Sequence, residues 1–338
     1  MRLLAVALLA LVACRSEAPK PAPPKTATTE AKTEATAEVK AAQAAAPAAA
    51  PDPWAVAPNP DDPPSLGERN RLANEACPTV KGPFFFRIEK GGKVSHILGT
   101  RHVGVSLAKF PKPVHDAITS AKLAVFEVAP GDDSDLPQKK VFLPDELGPE
   151  LWKKYQALVG EQAAQSLQST TPSIAVLAMM VMYEDISATL DMEIQTQVQA
   201  AKIPTRGLEA SVFQDRLLNK VLDMRMLRAA VSRTKDRAEM ATESRDDLAE
   251  YCAGTDDKPG MDEDMRADLL ASGYTPAELD KIDEEMVFAR NADWIPKLEK
   301  ILETPNTFIA VGADHLTGDR GVVALLQKRG YKLTRITQ

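Results

Sequence analysis

Histidine is scarce in this chain: His96, His102, His115 and His315 are the only four in 338 residues. Cysteine is scarcer still, at three, and aromatic residues make up 5%. Three cysteines make no framework, so Cys14, Cys77 and Cys252 each need a separate reading. Positive charge is also in deficit. A net charge of −7 and a pI near 5.3 argue against broad electrostatic binding to nucleic acid. No apolar run approaches the roughly 20 residues that cross a bilayer. With so few histidines, their placement carries weight. Two of the four close a Gly-x-x-His unit after an apolar run: Gly99-Thr100-Arg101-His102 and Gly312-Ala313-Asp314-His315.

The chain divides into three parts. Residues 1–14 read as an export signal, with Arg2 ahead of the apolar Leu3–Ala13 and then Cys14. Leu11-Val12-Ala13-Cys14 resembles a bacterial lipobox, in which the cysteine is lipidated and becomes the first residue. Acyl chains on Cys14 would hold the protein to a membrane without a spanning helix. Arg15 is not the aspartate that signals inner-membrane retention in some bacteria. The expected location is therefore the bacterial cell envelope, at the outer membrane, facing the periplasm or the cell surface. Residues 15–65 are rich in Ala, Pro, Thr, Glu and Lys and read as a disordered tether. Residues 66–338 form the folded part, long enough for a sizeable core.

Within it, Phe84–Ile88 and Val94–Leu98 read as strands joined through Glu89–Lys93. A helix is predicted over Pro113–Ala121 and a buried strand over Leu123–Val128, which carries Glu127 near its end. The middle is helical: Pro149–Val159, the all-apolar Ile174–Tyr183, Met192–Ala201, and one long charged region from Val212 to about Tyr251. Thr205–Glu209 reads as a short strand ending in an acid. Helices over Pro276–Arg290 and Asp293–Glu303 follow. Thr307–Val311 is a strand, Gly312–His315 a loop, Gly321–Arg329 a helix and Tyr331–Ile336 a strand. The fold class is therefore α/β (α+β). Two strand–Gly-x-x-His–helix–strand units at the domain ends would build a mixed or parallel central sheet, with a large helical insert between them. In an exported protein Cys77 and Cys252 can pair, or stay as two buried thiols.

Loops at the carboxyl ends of parallel strands are where α/β proteins usually bind ligands. His102, Glu127 and His315 would bring imidazole and carboxylate ligands to that edge, a set suited to divalent manganese, cobalt or zinc. Such an ion activates water and polarises a carbonyl. Glu209 would be a further ligand or a general base. Arg290 would hold a substrate carboxylate or an oxyanion, or serve only as an ion-pair partner. Asp191 reads as a helix cap. His96, in mid-strand, and His115, at a helix start, read as structural or surface residues.

Leu98-Gly99-Thr100-Arg101-His102-Val103-Gly104, Phe126-Glu127-Val128, Gly207-Leu208-Glu209 with Gln214, Arg290-Asn291, and Val311–Leu316 with Gly318 and Gly330-Tyr331 together resemble the TraB/GumN family across about residues 83–336. The resemblance implies kinship with the Tiki metalloproteases and with the erythromycin-esterase and ChaN-like proteins. It implies a metal-dependent peptidase site at His102, Glu127 and His315, supported by Glu209, Arg290 and Asn291. The substrate would be a peptide or protein. The ChaN-like branch includes haem-binding lipoproteins, so the alternative is a non-catalytic lipoprotein that binds a peptide or haem.

Overall fold

The computed structural model describes residues 63–255 and 259–337. The signal segment with Cys14, the tether up to residue 62 and part of the Asp256–Gly260 break lie outside the described residues. Helix α1 (Leu66–Ala76) leads into an antiparallel hairpin of β1 (Phe85–Lys90) and β2 (Lys93–Thr100). Gly91 and Gly92 both have positive φ, 57° and 76°. That is the backbone a two-residue turn needs to match the twist of its strands, and side chains with a Cβ resist it. Helix α2 (Lys112–Thr119) and strand β3 (Leu123–Val128) follow.

The helical insert begins with a small two-stranded ladder, β4 (Val141–Phe142), which encloses α3 (Leu143–Val159) and α4 (Glu161–Leu167) before closing on β5 (Ser169–Thr170). Then come α5 (Pro172–Met180), α6 (Leu190–Ala200), β6 (Thr205–Glu209), α7 (Ser211–Val221), α8 (Met224–Arg233), α9 (Arg237–Ala253), α10 (Glu263–Ala271) and α11 (Pro276–Asp283). The single charged helical region expected over Val212–Tyr251 is thus three helices. Two aspartates divide it. Asp223 accepts from Met226 N at 2.9 Å and Asp236 accepts from Glu239 N at 3.0 Å. Each caps the orphan amides of a new helix start. The boundary expected near residue 291 is also displaced. One π-turn, Glu284–Phe288, joins α11 to α12 (Ala289–Ile301), so Arg290 and Asn291 lie inside a helix. Strand β7 (Thr307–Gly312), a 3₁₀ turn at Ala313–His315, α13 (Val322–Lys328) and β8 (Lys332–Arg335) complete the chain.

The sheet order is β6-β3-β7-β2-β1-β8. Strands β6, β3, β7 and β2 are mutually parallel, and β1 runs against both β2 and β8. The mixed sheet with a helical insert is therefore present. The two histidine-bearing strands are direct neighbours, with Thr100 opposite Gly312. The units interleave rather than stack: β7 enters between β2 and β3. β3 and β7 read as continuous apolar runs because parallel strands are covered on both faces. One apolar cluster surrounds the sheet, through Ile97, Val125, Phe126, Phe308 and Ile309. A second fills the helical insert, through Leu177, Leu227 and Met286. Helix α5 lies in this second cluster, so its all-apolar sequence is a core sequence. Among the described residues no helix is long and apolar enough to cross a membrane.

Cys77, which ends α1, is disulfide-bonded to Cys252 in α9, with Cα atoms 5.9 Å apart and a sequence separation of 175. Both sulfur-bearing residues are buried. A bridge across so long a loop restricts the unfolded chain, worth about 3–5 kcal/mol on a chain-entropy account. Urea unfolding of a Cys77→Ala/Cys252→Ala protein is expected to show that loss. An unchanged midpoint would refute it.

Candidate functional site

Four parallel strands end on one edge, which carries Thr100, Val128, Glu209 and Gly312 in neighbouring positions. The two histidine loops meet there because Gly99 has no side chain. A Cβ at Gly99 would lie 2.9 Å from Ala313 Cα of the opposite loop and 2.9 Å from Phe84 Cβ. Gly99→Ala is therefore expected to cost about 1–3 kcal/mol by overpacking, read as a lower thermal midpoint with the fold retained.

Arg290 is the hub of a buried network. Its Nε donates to Glu209 Oε2 at 3.1 Å. Nη2 donates to Glu127 Oε2 at 2.5 Å and Glu209 Oε1 at 2.6 Å. Nη1 donates to Met286 O at 2.9 Å, inside the π-turn, and to His315 Nε2 at 3.0 Å. A guanidinium has five N–H donors, and all five are committed. Glu127 Oε1 accepts from Gly312 N at 2.7 Å, while Gln214 Nε2 reaches Glu127 Oε2 at 3.1 Å. Trp294 Nε1 donates to Glu209 Oε2 at 3.2 Å. Burial alone would push both carboxyl pKa values up. For Glu127 the Arg290 charge overrides it, helped by both histidines and the Gly312 amide, and the pKa falls well below the ordinary range. For Glu209 burial prevails over Arg290, and the pKa stays above it.

His315 is held between Arg290 and Asn291. Arginine only donates, so His315 Nε2 is the acceptor and the ring proton lies on Nδ1, which donates to Asn291 Oδ1 at 2.7 Å. Asn291 Nδ2 in turn donates to Arg320 O at 3.0 Å. Burial and the Arg290 charge lower the His315 pKa to about 3. A depressed histidine is neutral in the fold while the unfolded chain takes up a proton below about 6.5. Stability from this residue is thus complete above pH 6.5 and falls as pH drops toward 3, by up to about 1.4 kcal/mol per pH unit. As pH goes from 6.5 to 4.5, urea midpoints are expected to change less favourably in the wild type than in His315→Gln, by the His315 contribution. Equal slopes in the two proteins would refute this.

His102 stands apart from that hub and faces a different partner. Its Nδ1 lies 2.6 Å from Asp191 Oδ2, and the other oxygen of Asp191 accepts from Thr100 Oγ1 at 2.8 Å. Burial disfavours the imidazolium, but Asp191 outweighs it and the His102 pKa is raised. Nε2 is buried and has no hydrogen-bond partner. Among the described residues six buried side-chain polar atoms lack a partner, and four of them, Arg101 Nε, His102 Nε2, Tyr183 Oη and Glu184 Oε2, belong to residues that line one cavity. The cavity volume is about 60 Å³, room for about four water-sized groups. Glu209, Arg290 and Trp294 border a separate hollow of about 660 Å³.

A model of the TraB/PrgY/gumN family matches residues 84–335. The chain belongs to this family. No curated protein and no solved structure matches it. In this TraB/PrgY/gumN protein the structure joins Glu127, Glu209, Arg290, Asn291 and His315 in one network and sets His102 beside it. His96 stacks on Phe85, with centroids 5.3 Å apart, and His115 Nε2 bonds to Phe110 O at 3.2 Å, so both have structural partners. Asp191 is the main residue the sequence reading assigned elsewhere. It sits in the first turn of α6 but makes no cap; its carboxylate is spent on His102 and Thr100.

The donor set does not fit a resident divalent ion in this arrangement. Both ring nitrogens of His315 are hydrogen-bonded, both oxygens of Glu127 are engaged, and the guanidinium already supplies the central positive charge. Among the described residues no group of three or more His, Cys, Asp or Glu side chains is placed to hold a metal. His315 is equally unavailable to a haem iron. Dialysis against EDTA is expected to leave the thermal midpoint unmoved, because nothing that binds the folded state is withdrawn. A clear fall would contradict the assignment.

Proposed function

We propose that this TraB/PrgY/gumN protein is a hydrolase of peptide bonds, tethered to the bacterial envelope through lipidated Cys14, with His102 as its general base. The observation that carries the reading is the unpartnered Nε2 of His102, a residue that lines a cavity, while Asp191, itself held by Thr100, fixes the other side of the ring. That is the arrangement a base needs: one nitrogen held by a carboxylate, the other open toward the reacting atoms. Water gives its proton to Nε2 and its oxygen bonds to the carbonyl carbon. Asp191 stabilises the imidazolium that forms. Arg101 Nε–H, an unpaired donor on a residue of the same cavity, faces the oxyanion. As the C–N bond breaks, the imidazolium returns its proton to the leaving amine. No step runs through a metal ion, so this reading departs from the metal-dependent peptidase that the paired histidines suggested. The mature lipoprotein, assayed against a peptide library, should cleave in the presence of EDTA and lose cleavage in His102→Ala. Absence of any cleavage, or unchanged cleavage in that variant, would sink the proposal.

A further inference from the structure

Resting on the hydrolase reading for its location, we propose that the His102 cavity selects its ligand by a protonated primary amine. The lining is one-sided in charge. Glu184, Glu243, Asp247 and Asp314 face it, against the single permanent cation Arg101. Arg101 is itself bound to Glu184 Oε1 at 2.6 Å. The second observation is independent of that count. The Glu184 side chain is only 7% exposed; the Ser244 hydroxyl beside it stabilises the charged form, yet Oε2 makes no hydrogen bond of full geometry. A buried carboxylate oxygen without a donor is costly.

An ammonium group offers three donors and no acceptor. It therefore supplies a donor to Glu184 Oε2 and answers the negative lining, whereas a carboxylate or phosphate would add like charge to four acids. Gly104 has φ 91°, and a Cβ there would lie 2.8 Å from Glu184 Oε2. Glycine lets that oxygen pack against the backbone there. Met179, Met180 and Met240 are among the apolar residues of the lining, and flexible thioethers adapt to the carbons that carry the nitrogen. A volume of about 60 Å³ takes the amino head and a few carbons, while the rest of the ligand stays outside.

The test is calorimetric titration of the intact protein with methioninamide, N-acetyl-methioninamide and N-acetyl-lysinamide at pH 7. At least one free amine should bind about tenfold or more tightly than N-acetyl-methioninamide, the equivalent of one charge-assisted hydrogen bond. The two amines distinguish an α-ammonium from a side-chain ammonium, and either one supports the proposal. Glu184→Gln should erase the preference. Glu243→Gln/Asp247→Asn, which leaves the Arg101–Glu184 pair intact, should weaken it several-fold with the fold retained. Equal or tighter binding of the acetylated compound, or no binding by any of the three, overturns the proposal. Cleavage of peptides without amine discrimination would overturn it and leave the hydrolase standing. Discrimination without cleavage would do the reverse.

Discussion

Arg290→Met is expected to lower folding stability by about 3–5 kcal/mol, the usual cost of leaving a buried charge without its partner. Here the loss strands two carboxylates and an imidazole at once. Arg290, Glu127 and Glu209 are all nearly inaccessible, with side chains 3%, 8% and 6% exposed. The pH signature separates this from simple loss of packing. Without the guanidinium, Glu127 and Glu209 are stable only when protonated, so their folded pKa values rise above those of the unfolded chain. Such groups bind more protons folded than unfolded, and stability then increases as pH falls from 7 toward 5. In the wild type the guanidinium removes that gain, and the His315 contribution has the opposite sign. Arg290→Lys should rescue little, because an ammonium has three donors on a flexible stem where five in a planar fork are used. Urea midpoints at pH 7 and pH 5 read both effects. A loss under about 1 kcal/mol would remove Arg290 from its central position.

The second large effect belongs to the chemistry. His102→Ala is expected to reduce peptide cleavage by about 10²–10⁴-fold, the range of a positioned acid–base group. Asp191→Asn should also lose most of the rate, because the imidazole loses the charge that orients it and stabilises its protonated form. The pH profile tells a catalytic pair from a structural one. The His102 pKa is raised despite burial, chiefly by Asp191. The free base therefore appears as pH climbs past the ordinary value near 6.5, and the rate should rise across that interval. In Asp191→Asn the rising limb should move to lower pH while the plateau falls. A limb that stays in place would make Asp191 merely a packing residue.

Much of the edge was readable from local pattern. Short apolar runs ending in Gly or Glu located β2, β3, β6 and β7, and these brought Glu127, Glu209, His102 and His315 to the same end of the sheet. Local pattern does not say which partner each group takes. Asp191 lies 89 residues from His102 and occupies a helix start, where an aspartate usually needs no other explanation. Arg290 is invisible as a hub because its acceptors come from β3, β6, the π-turn and the loop after β7. The π-turn itself has no composition cue, yet it extends the helix through the two residues that hold His315. The acids of the His102 cavity were hidden for the opposite reason: Glu243 and Asp247 sit in a helix charged on most of its faces.

The place of β7 between β2 and β3 has a consequence for how the protein is made. During synthesis β2 and β3 leave the ribosome early, and the strand that joins them follows only after the whole helical insert. Until residues 307–312 arrive, the facing edges of both older strands have unpaired backbone groups, a template for wrong partners. A chain that stops in α12 would possess Arg290, Glu127, Glu209 and His102 but have no sheet continuous enough to assemble them. The site is thus withheld from every unfinished molecule, and its last histidine arrives together with the strand that closes the fold.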